Sequence, residues 1–461
     1  MRRLVASLTS LLILSLVAGA VPEEVEAQVA VVKPNVLLIV TDDQRATGGT
    51  MKAMRATRRL IQRRGRRYPN AFATTPVCCP SRTSILTGQY THNHGVKNNH
   101  KAERFDPSTA MPAHLQEAGY ATGLFGKYLN EWQGDPFNFD RWAISKGKNW
   151  YYDGQWNVNG VDRTIDAYNA DVIARRTIDF LEDLDASDDL APWFAYVAPL
   201  GPHAPSTPAK RHRGARVAGF DGNPAVSEKD RTDKPAYVRR KTASLREAKT
   251  IATRQQRSLL AVDEMIQRVD TTLGDLQEKR NTLVVFLSDN GYSWAEHGLL
   301  GPTISKNTPY LQSSRIPMAL RFPGSVSPKT RDRRLVANID VAPTVYDAVG
   351  ILGQIEHSID GRSLLDPTWD RKRLLLERFN QSDVRVPPWA TIQTKKAQYT
   401  EYRHGKSVTF REFYRLTQDP WQLQNLLHDG TRKNNPHWRR LHSRLVDLRN
   451  CKGTSGPNAC P

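Results

Sequence analysis

A cysteine and an arginine lie four positions apart in residues 78–82, which read CCPSR. Pro80 suits the first turn of a helix, where its missing N–H costs no hydrogen bond, and Gly88 can end that helix. The pattern therefore predicts Cys78 at or just before a helix N-terminus, where free N–H groups and the helix dipole favour an anion. Because Arg82 adds a permanent positive charge, we expect an unmodified Cys78 thiol to be acidified.

A second group of chemically capable side chains consists of Asp42, Asp43, Asp289 and Asn290, and each pair follows an apolar run. Their oxygens are hard ligands that suit Ca²⁺ and could accept Mg²⁺. Carboxylates crowded at one place would repel each other without a cation. Asp42 and Asp43 alone would also fit a turn or a helix cap, but the four together predict a metal site.

Buried strands must deliver these side chains to one place. Four apolar runs resemble strands, and polar residues follow each of them. Asp42 and Asp43 follow 35–40, Lys127 follows 121–125, His203 follows 193–197, and Asp289 and Asn290 follow 282–287. Continuous apolar runs of this length are typical of central strands covered on both faces. Open α/β sheets carry their sites where such strands end, so we expect these residues to meet at one sheet edge.

Further elements follow from periodicity. We expect a strand at 316–322, helices at 245–276, 340–349 and 436–448, and half-buried antiparallel strands at 397–402 and 409–416. The change of pattern after residue 364 predicts a catalytic domain at 34–364 and a small C-terminal subdomain at 365–461.

The order of these motifs resembles the formylglycine-dependent sulfatase family of the alkaline-phosphatase-like superfamily. Its signature C-x-P-S-R followed by L-T-G matches residues 78–88, and the segment 412–426 resembles a motif of the family's C-terminal subdomain. The resemblance covers nearly the whole mature chain. It implies an α/β fold with a large mixed, mostly parallel central sheet flanked by helices, and a small C-terminal α+β subdomain.

The resemblance also implies the cofactors. Cys78 would be oxidised to formylglycine by a formylglycine-generating enzyme, and residue 78 would then supply one more oxygen to the metal. The Ca²⁺ ligands carried over from the family are Asp42, Asp43, Asp289 and Asn290.

Catalytic roles are carried over in the same way. Lys127 and Lys306 would bind the sulfate and stabilise charge on the ester oxygen, and His203 would contact the sulfate or the leaving oxygen. The hydrate of the aldehyde at residue 78 would attack sulfur, and the alcohol would leave with a proton from His203 or Lys306. A base would then take the second hydroxyl proton, so that sulfate leaves and the aldehyde forms again.

One position departs from the common pattern. Many sulfatases have a histidine two residues after the first lysine, where this chain has Leu129. The form G-K-Y-L-N-E at 126–131 resembles glucosamine-6-sulfatases and extracellular heparan-sulfate endosulfatases, which implies a sulfated glycosaminoglycan substrate of the 6-O-sulfated glucosamine type. His94 and Asn130 are the candidates for the missing base, with His94 preferred because histidine titrates near neutrality.

The N-terminus has the features of an export signal. Arg2 and Arg3 precede a short apolar stretch, with possible cleavage after residue 20 or 27, so we expect residues 1–27 to be a signal peptide. The apolar stretch is too short for a stable membrane span. We therefore expect an exported protein, whether secreted, periplasmic or at the cell surface, without stable membrane insertion.

The four cysteines allow two kinds of pairing. Cys451 and Cys460, in a tail rich in Gly, Pro and Ser, could form a disulfide in an exported protein. Cys78 and Cys79 could alternatively be a buried pair or a redox site.

The charge balance favours polyanions. Lys and Arg number 66 against 47 Asp and Glu, a net charge of +19, although this could also serve solubility alone. Residues 204–243, long and rich in Pro, Gly, Lys and Arg, could be a mobile loop that grips substrate or a solvated insertion. Two other functions remain open: a phosphoric or phosphonic ester hydrolase of the same superfamily, and a non-catalytic polyanion-binding protein. Nucleic-acid binding is not expected, because no binding motif is present.

Overall fold

The computed structural model describes residues 33–132, 134–147, 150–187 and 191–461. The expected signal peptide at 1–27 lies outside these ranges. Within them, no helix combines the length and the apolar character that crossing a bilayer would need.

The strands form a large central sheet, a short pair and a C-terminal sheet. In chain order they are β1 (Asn35–Thr41), β2 (Arg66–Arg67), β3 (Ala71–Phe72), β4 (Ala121–Gly126), β5 (Arg141–Lys146), β6 (Gly154–Val158), β7 (Val161–Ile165), β8 (Trp193–Ala198), β9 (Thr282–Ser288), β10 (Met318–Arg321), β11 (Thr330–Arg331), β12 (Val336–Ala337), β13 (Leu374–Arg378), β14 (Trp389–Gln393), β15 (Ala397–His404) and β16 (Ser407–Arg415).

The α-helices cover both faces of the central sheet and one part of the C-terminal sheet. They are α1 (Thr50–Ala53), α2 (Arg55–Thr57), α3 (Cys78–Thr87), α4 (Thr91–His94), α5 (Met111–Glu117), α6 (Asn169–Ala186), α7 (Ala236–Arg239), α8 (Leu245–Asp275), α9 (Leu311–Ser314), α10 (Val341–Ala348) and α11 (Trp438–Arg449).

The central sheet has the order β11-β2-β10-β9-β1-β8-β4-β5-β6-β7 among the described residues. The five strands β9, β1, β8, β4 and β5 run parallel, whereas β10, β6 and β7 join antiparallel. The expected large, mixed and mostly parallel sheet is therefore confirmed. The strand expected at 316–322 is present as β10, and the strands β5, β6 and β7 at the other edge were not anticipated.

Strand β1 lies at the centre of the sheet and is buried along its whole length. Val36, Leu38 and Val40 pack into one apolar cluster with residues of α3, α5 and α10. Leu37 and Ile39 point to the opposite face and pack with residues of α6 and α8. Because successive side chains of a strand alternate between faces, only a run without polar residues could serve both layers.

The C-terminal part is an antiparallel sheet in the order β13-β14-β15-β16, with α11 packed against it. The expected strands at 397–402 and 409–416 and the helix at 436–448 are present with slightly shifted ends. Cys451 and Cys460 form a disulfide, as the tail composition had suggested. The expected subdomain is thus confirmed as a fold element, and its boundary at residue 365 stays a prediction.

The long basic stretch at 204–243 is attached to the rest of the protein at several points. The buried Lys234 ammonium donates to Leu423 O at 2.6 Å, and the Arg231 guanidinium donates to His297 O at 2.7 Å. Arg211 forms ion pairs with Asp171 and Glu264, both at 2.7 Å. These anchors hold much of the stretch against the domain, and Arg211 is not a freely available cation.

Candidate active site

The strand ends bring the polar residues together, as the sequence pattern predicts. Thr41 and Ser288 are paired neighbours at the ends of the parallel strands β1 and β9, so the residues that follow them lie side by side. The backbone N–H of Asp43 donates to Asp289 Oδ1 at 3.1 Å, and the N–H of Asp289 donates to Thr41 O at 3.0 Å. Sheet register therefore places Asp42 and Asp43 beside Asp289 and Asn290.

Cys78 is the first residue of α3, directly after the extended residue Val77. The helix ends at Gly88, whose left-handed φ of 72° is favourable for glycine. The predicted position of the cysteine and the predicted end of the helix are both confirmed. The Cys78 sulfur is buried and lies 3.7 Å from Asp42 Oδ1 and 3.2 Å from Lys306 Nζ.

Arg82 lies one turn into α3 and is fully buried. Its guanidinium donates to Asp289 Oδ2 at 3.0 Å, to the backbone carbonyl of Lys127 at 3.0 Å, and to the Tyr196 hydroxyl at 3.3 Å. Tyr196 was not identified from the sequence, because it lies inside the apolar strand β8 and looks like a core residue. Arg82 thus fixes α3 to the ends of β4 and β9 rather than pointing into an open pocket.

The acidic cluster fits a divalent cation. One ligand atom from each of Asp42, Asp43, Cys78 and His203 lies within 4.8 Å of the others. Asn290 donates its amide N–H to Asp43 Oδ1 at 2.6 Å, whereas its Oδ1 is buried and has no hydrogen-bond partner among the described residues. Since a buried carbonyl oxygen without a partner is costly, this oxygen is suited to contact a cation.

Two lysines stand against the same carboxylates. Lys127 donates to Asp42 Oδ2, and Lys306 donates to both oxygens of Asp43 at 2.8 and 3.0 Å. Burial alone would raise the pKa of Asp42, but Lys127 and the other nearby cations hold that pKa well below its usual range. Burial acts together with the Asp42 charge to raise the pKa of Asp289 to about 6. The carboxylates of Asp42, Asp43 and Asp289 are thus held among the cations Arg82, Lys127 and Lys306.

His203 faces the cluster with one defined ring nitrogen. Its Nδ1 lies 2.6 Å from Ala204 O, which can only accept a hydrogen bond, so Nδ1 carries the proton. Its Nε2 lies 3.6 Å from Asp43 Oδ2. Burial lowers the pKa of His203, and the nearby Lys306 charge lowers it further. In the neutral ring, Nε2 therefore has a free lone pair directed toward the cluster.

The expectation of an acidified thiol at residue 78 does not hold. Burial raises the pKa of Cys78 to about 12, and the neighbouring Lys127 and Lys306 charges do not offset it. Burial likewise raises the pKa of Cys79 to about 12. An unmodified cysteine at this position would be a protonated and weakly nucleophilic thiol.

The two candidates for a substitute base lie elsewhere. His94 Nδ1 accepts from the backbone N–H of Val96 at 3.1 Å, and its Nε2 lies 3.1 Å from the Ser84 hydroxyl. The backbone N–H of Asn130 donates to the Cys79 sulfur at 2.8 Å. The structure therefore places His94 and Asn130 against the helix α3 and its second cysteine, and gives neither a hydrogen bond to Asp43 or Lys306. A catalytic role for His94 stays a prediction.

An open cavity of about 400 Å³ adjoins the cluster. Lys127 lines one part of it, and Trp132, Lys146 and Trp150 line another. The Trp150 side chain is 48% exposed, so its ring is available to a ligand. Aromatic faces beside cations are suited to an anionic molecule that also has an apolar face.

Two family models match the chain. One is described as "Sulfatase" and matches residues 34–351. The other is described as "N-sulphoglucosamine sulphohydrolase, C-terminal" and matches residues 296–451. Together they cover the central sheet, the acidic cluster and the C-terminal sheet.

Two curated relatives illustrate the similarity. Human N-acetylglucosamine-6-sulfatase is 29% identical over 487 residues, which cover 91% of this chain and 85% of that protein. The extracellular sulfatase SULF-1 homolog of Drosophila melanogaster is 32% identical over 371 residues, which cover 76% of this chain. The match spans only 32% of the fly protein.

Among solved structures, one protein captured with its substrate D-glucosamine-2-N,6-O-disulfate aligns with a TM-score of 0.79 and 22% identity. The alignment covers 90% of this chain and 97% of that one. At this level of identity the likeness establishes the shared fold.

Proposed function

The chain belongs to the sulfatase family and is a sulfuric ester hydrolase, and from this premise we propose that it removes 6-O-sulfate from glucosamine-type sugars of glycosaminoglycans. The observation that carries the proposal is the convergence of Asp42, Asp43, Cys78 and His203 within 4.8 Å, with Lys127 and Lys306 in contact with the same carboxylates. Fixed cations beside a buried nucleophile position suit an ester whose transition state spreads negative charge.

The metal in this proposal is Ca²⁺, with Mg²⁺ as the alternative, held by Asp42, Asp43, Asp289 and Asn290. The unpartnered oxygen of Asn290 supports this assignment. A bound divalent cation would supply positive charge for the sulfate oxygens and for the nucleophile. Hard oxygen ligands without any required soft ligand favour these two ions over zinc or copper.

Residue 78 in the active protein is proposed to be formylglycine, made from Cys78 by a formylglycine-generating enzyme. This group would supply an oxygen nucleophile where burial leaves a thiol protonated. Its place at the first residue of α3 puts it at the positive end of the helix dipole, where the Cys79 N–H donates to Asn99 Oδ1 at 3.0 Å and Pro80 has no N–H.

The other residues bind and orient the ester. The ammonium groups of Lys127 and Lys306 would contact sulfate oxygens, while Arg82 keeps α3 fixed against β4 and β9. His203 Nε2, with its lone pair directed to the cluster, would accept a proton during turnover. This role differs from the acid role that the resemblance allowed, and it supplies the base that Leu129 cannot provide.

The sugar part of the substrate would occupy the cavity beside Lys127. The names of the human and fly relatives and the glucosamine disulfate bound by the structural neighbour support glucosamine as the sugar. Trp150 and Trp132 offer aromatic faces for the ring, and Lys146, whose ammonium pairs with Asp162 at 2.5 Å, lies beside them.

We also propose that the protein acts after export, in secreted, periplasmic or cell-surface form. The N-terminal sequence and the extracellular relative of Drosophila support this location. The disulfide between Cys451 and Cys460 fits an oxidising compartment.

A turnover screen tests the proposal. Protein with confirmed modification at residue 78 is assayed on N-acetylglucosamine-6-sulfate, glucosamine-2-N,6-O-disulfate, an aryl sulfate and the matching aryl phosphate. We expect the 6-O-sulfated sugars to give the highest kcat/KM. Faster hydrolysis of the aryl phosphate than of every sulfate would favour the phosphoric ester hydrolase instead.

A further inference from the structure

The first turns of α8 present a row of cations to solvent. Arg246, Lys249 and Arg254 are exposed, and Arg257 is half-buried. Their spacing of three to five residues keeps them on one face of the helix, over about 17 Å at 1.5 Å per residue. Together with Leu245, Thr250 and Thr253 they line a surface groove of about 630 Å³, called here the α8 basic groove.

Acidic partners neutralise little of this charge. The only acid between residues 245 and 257 is Glu247, whose carboxylate accepts hydrogen bonds from the Ser244 N–H and hydroxyl in the helix cap. Lys249 has one ion pair, to the fully exposed Asp221 at 3.6 Å. In the described ranges, Arg246 and Arg254 have no side-chain hydrogen bond or ion pair. The groove is thus a cationic surface with little internal compensation.

The same helix supports the active site with buried side chains. Gln255 donates to the carbonyl of Pro202, which precedes His203, at 3.3 Å. Gln256 donates to Gly48 O at 3.1 Å, in the segment that follows Asp42 and Asp43. One helix therefore has an inward face that holds the site loops and an outward face that carries the groove.

The segment next to the groove adds to the positive charge. Arg257 Nε donates to Ala215 O at 2.9 Å, which fixes residues 213–216 beside the helix. Arg213 and Arg216 in that segment are exposed. Unlike Arg211, which is paired with Asp171 and Glu264, neither of them has an ion pair among the residues described.

We propose that the α8 basic groove binds a sulfated polysaccharide chain at a position separate from the sulfate ester that is hydrolysed. The inference rests on the proposed function, because its ligand is the polymeric form of the proposed substrate. Guanidinium forks bind the oxygens of sulfate with two parallel hydrogen bonds. The Thr253 hydroxyl can donate to a sugar or sulfate oxygen, whereas the Thr250 hydroxyl donates to Arg246 O at 3.0 Å. The groove would hold the polymer near the site between successive hydrolytic events.

Binding at exposed charges has a recognisable signature. Salt screens such charges over about 8–10 Å at moderate ionic strength, and binding to a polyanion weakens steadily as salt rises, because bound counterions are released. A small aryl sulfate, which enters only the active site, would not sense the groove.

The test compares two triple variants of the full chain. One is Arg246→Gln, Lys249→Gln and Arg254→Gln in the groove. The matched control is Arg63→Gln, Arg64→Gln and Arg333→Gln, three exposed cations near β2 and β11 with the same loss of charge. Each protein is titrated with heparin at several salt concentrations, then with duplex DNA, and is assayed on an aryl sulfate.

We expect the groove variant to bind heparin about tenfold more weakly at low salt and to show a shallower salt dependence. The expected factor is modest because each exposed pair of a cation and a sulfate contributes little binding free energy on its own. The control variant should bind heparin as the parent protein does, and aryl sulfate turnover should be equal in all three proteins. The proposal would be overturned by an equal loss of heparin affinity in both variants, or by no loss of heparin affinity in the groove variant. DNA binding as tight as heparin binding would also overturn it. Absence of sulfatase turnover in the parent protein with confirmed formylglycine at residue 78 would instead refute the proposed function, whatever the heparin titration gives.

Discussion

Lys306 places its ammonium nitrogen 3.2 Å from the sulfur of Cys78, although the two residues are 228 positions apart in the chain. The same nitrogen donates to both carboxylate oxygens of Asp43 at 2.8 and 3.0 Å. One cation therefore connects the nucleophile position with the acidic cluster. A sulfate group bound at residue 78 would find this charge already in place, without the reorganisation that a solvated lysine would need.

The first prediction concerns residue 78. We expect mass spectrometry of active protein to find formylglycine at Cys78 and an unmodified Cys79. Cys78→Ala should abolish turnover, because the remaining cations and metal ligands have no group to form a bond with sulfur.

Cys79→Ala is the matched control. The Cys79 sulfur accepts from the Asn130 N–H and is not among the converging ligand atoms, so modification at residue 78 should persist, with at most a modest loss of activity. Modification found at residue 79, or normal rates in Cys78→Ala, would exclude this assignment.

The second prediction concerns the metal. We expect about one equivalent of Ca²⁺ per chain by elemental analysis, and lower content together with lost activity in Asp289→Ala. Asp289 also compensates the buried Arg82 charge, and breaking such a pair costs about 3–5 kcal/mol. For this reason Asp289→Ala is expected to be destabilised, and a second variant is needed.

Asn290→Ala provides that second variant. It removes the unpartnered amide oxygen without breaking an ion pair, so the protein should fold, and its metal affinity should fall. Asn425→Ala removes a buried asparagine of the C-terminal part and should keep full metal content. Metal-free protein with normal rates would contradict the prediction.

The sequence was sufficient to predict the parts of the site that depend on strand ends and on a helix start. Asp42, Asp289 and Lys127 follow apolar runs, and parallel register then brings them to one edge. It could not predict Tyr196, because its hydroxyl contacts Arg82 only through long-range packing. The strands β5, β6 and β7 were missed for a similar reason, since β7 is largely exposed and β5 is partly exposed, which leaves little apolar patterning.

Burial is the property that sequence reasoning estimated least well. A helix N-terminus and a nearby arginine predict an acidified thiol, but full burial raises the pKa of Cys78 instead. In the same way, Arg211 looked available for substrate in a loop of basic composition. The structure pairs it with Asp171 and Glu264, and composition alone cannot reveal such partners.

The third prediction separates two roles for His203. If Nε2 acts as a base, His203→Asn should lower kcat by about 10²–10⁴, and by the same factor for an aryl sulfate and a sugar sulfate. If His203 instead protonated the leaving oxygen, the loss would be much smaller for the aryl sulfate, whose phenolate leaves without a proton. Parallel rate measurements on both substrates decide between the roles, and metal content should be unchanged in the variant.

The fourth prediction concerns His94 and acid stability. Burial lowers the pKa of His94 to about 3, and its Nδ1 must stay unprotonated to accept from the Val96 N–H. In the unfolded chain the histidine pKa is near 6.5, so the unfolded state binds a proton at a higher pH than the folded state does. The neutral, buried His94 therefore contributes fully to the stability of the fold above pH 6.5, and this contribution falls as the pH drops toward 3. Between pH 6.5 and 5 the free energy of unfolding falls by about 1–2 kcal/mol because of this group.

Denaturant unfolding at pH 7 and pH 5 measures this effect. His94→Asn should lose less stability on acidification than the parent protein does. His404→Gln, at an exposed position, should behave like the parent protein. An unchanged acid sensitivity in His94→Asn would refute the buried, neutral state. If His94 were the catalytic base, the variant would also lose turnover at pH 7 as severely as His203→Asn.

The last prediction concerns the sugar. Trp150 lines the cavity beside Lys127, and its side chain is 48% exposed. If the sugar ring packs on this indole, Trp150→Ala should raise KM for a 6-O-sulfated glucosamine substrate about tenfold, because an aromatic contact contributes about 1 kcal/mol or more beyond simple burial. KM for a small aryl sulfate should change much less, since its ring lies closer to the sulfate. Trp438→Ala is the matched control, because Trp438 is a half-buried tryptophan of α11 that does not line the cavity. Equal KM changes for both substrates, or an equal effect of Trp438→Ala, would place the sugar elsewhere.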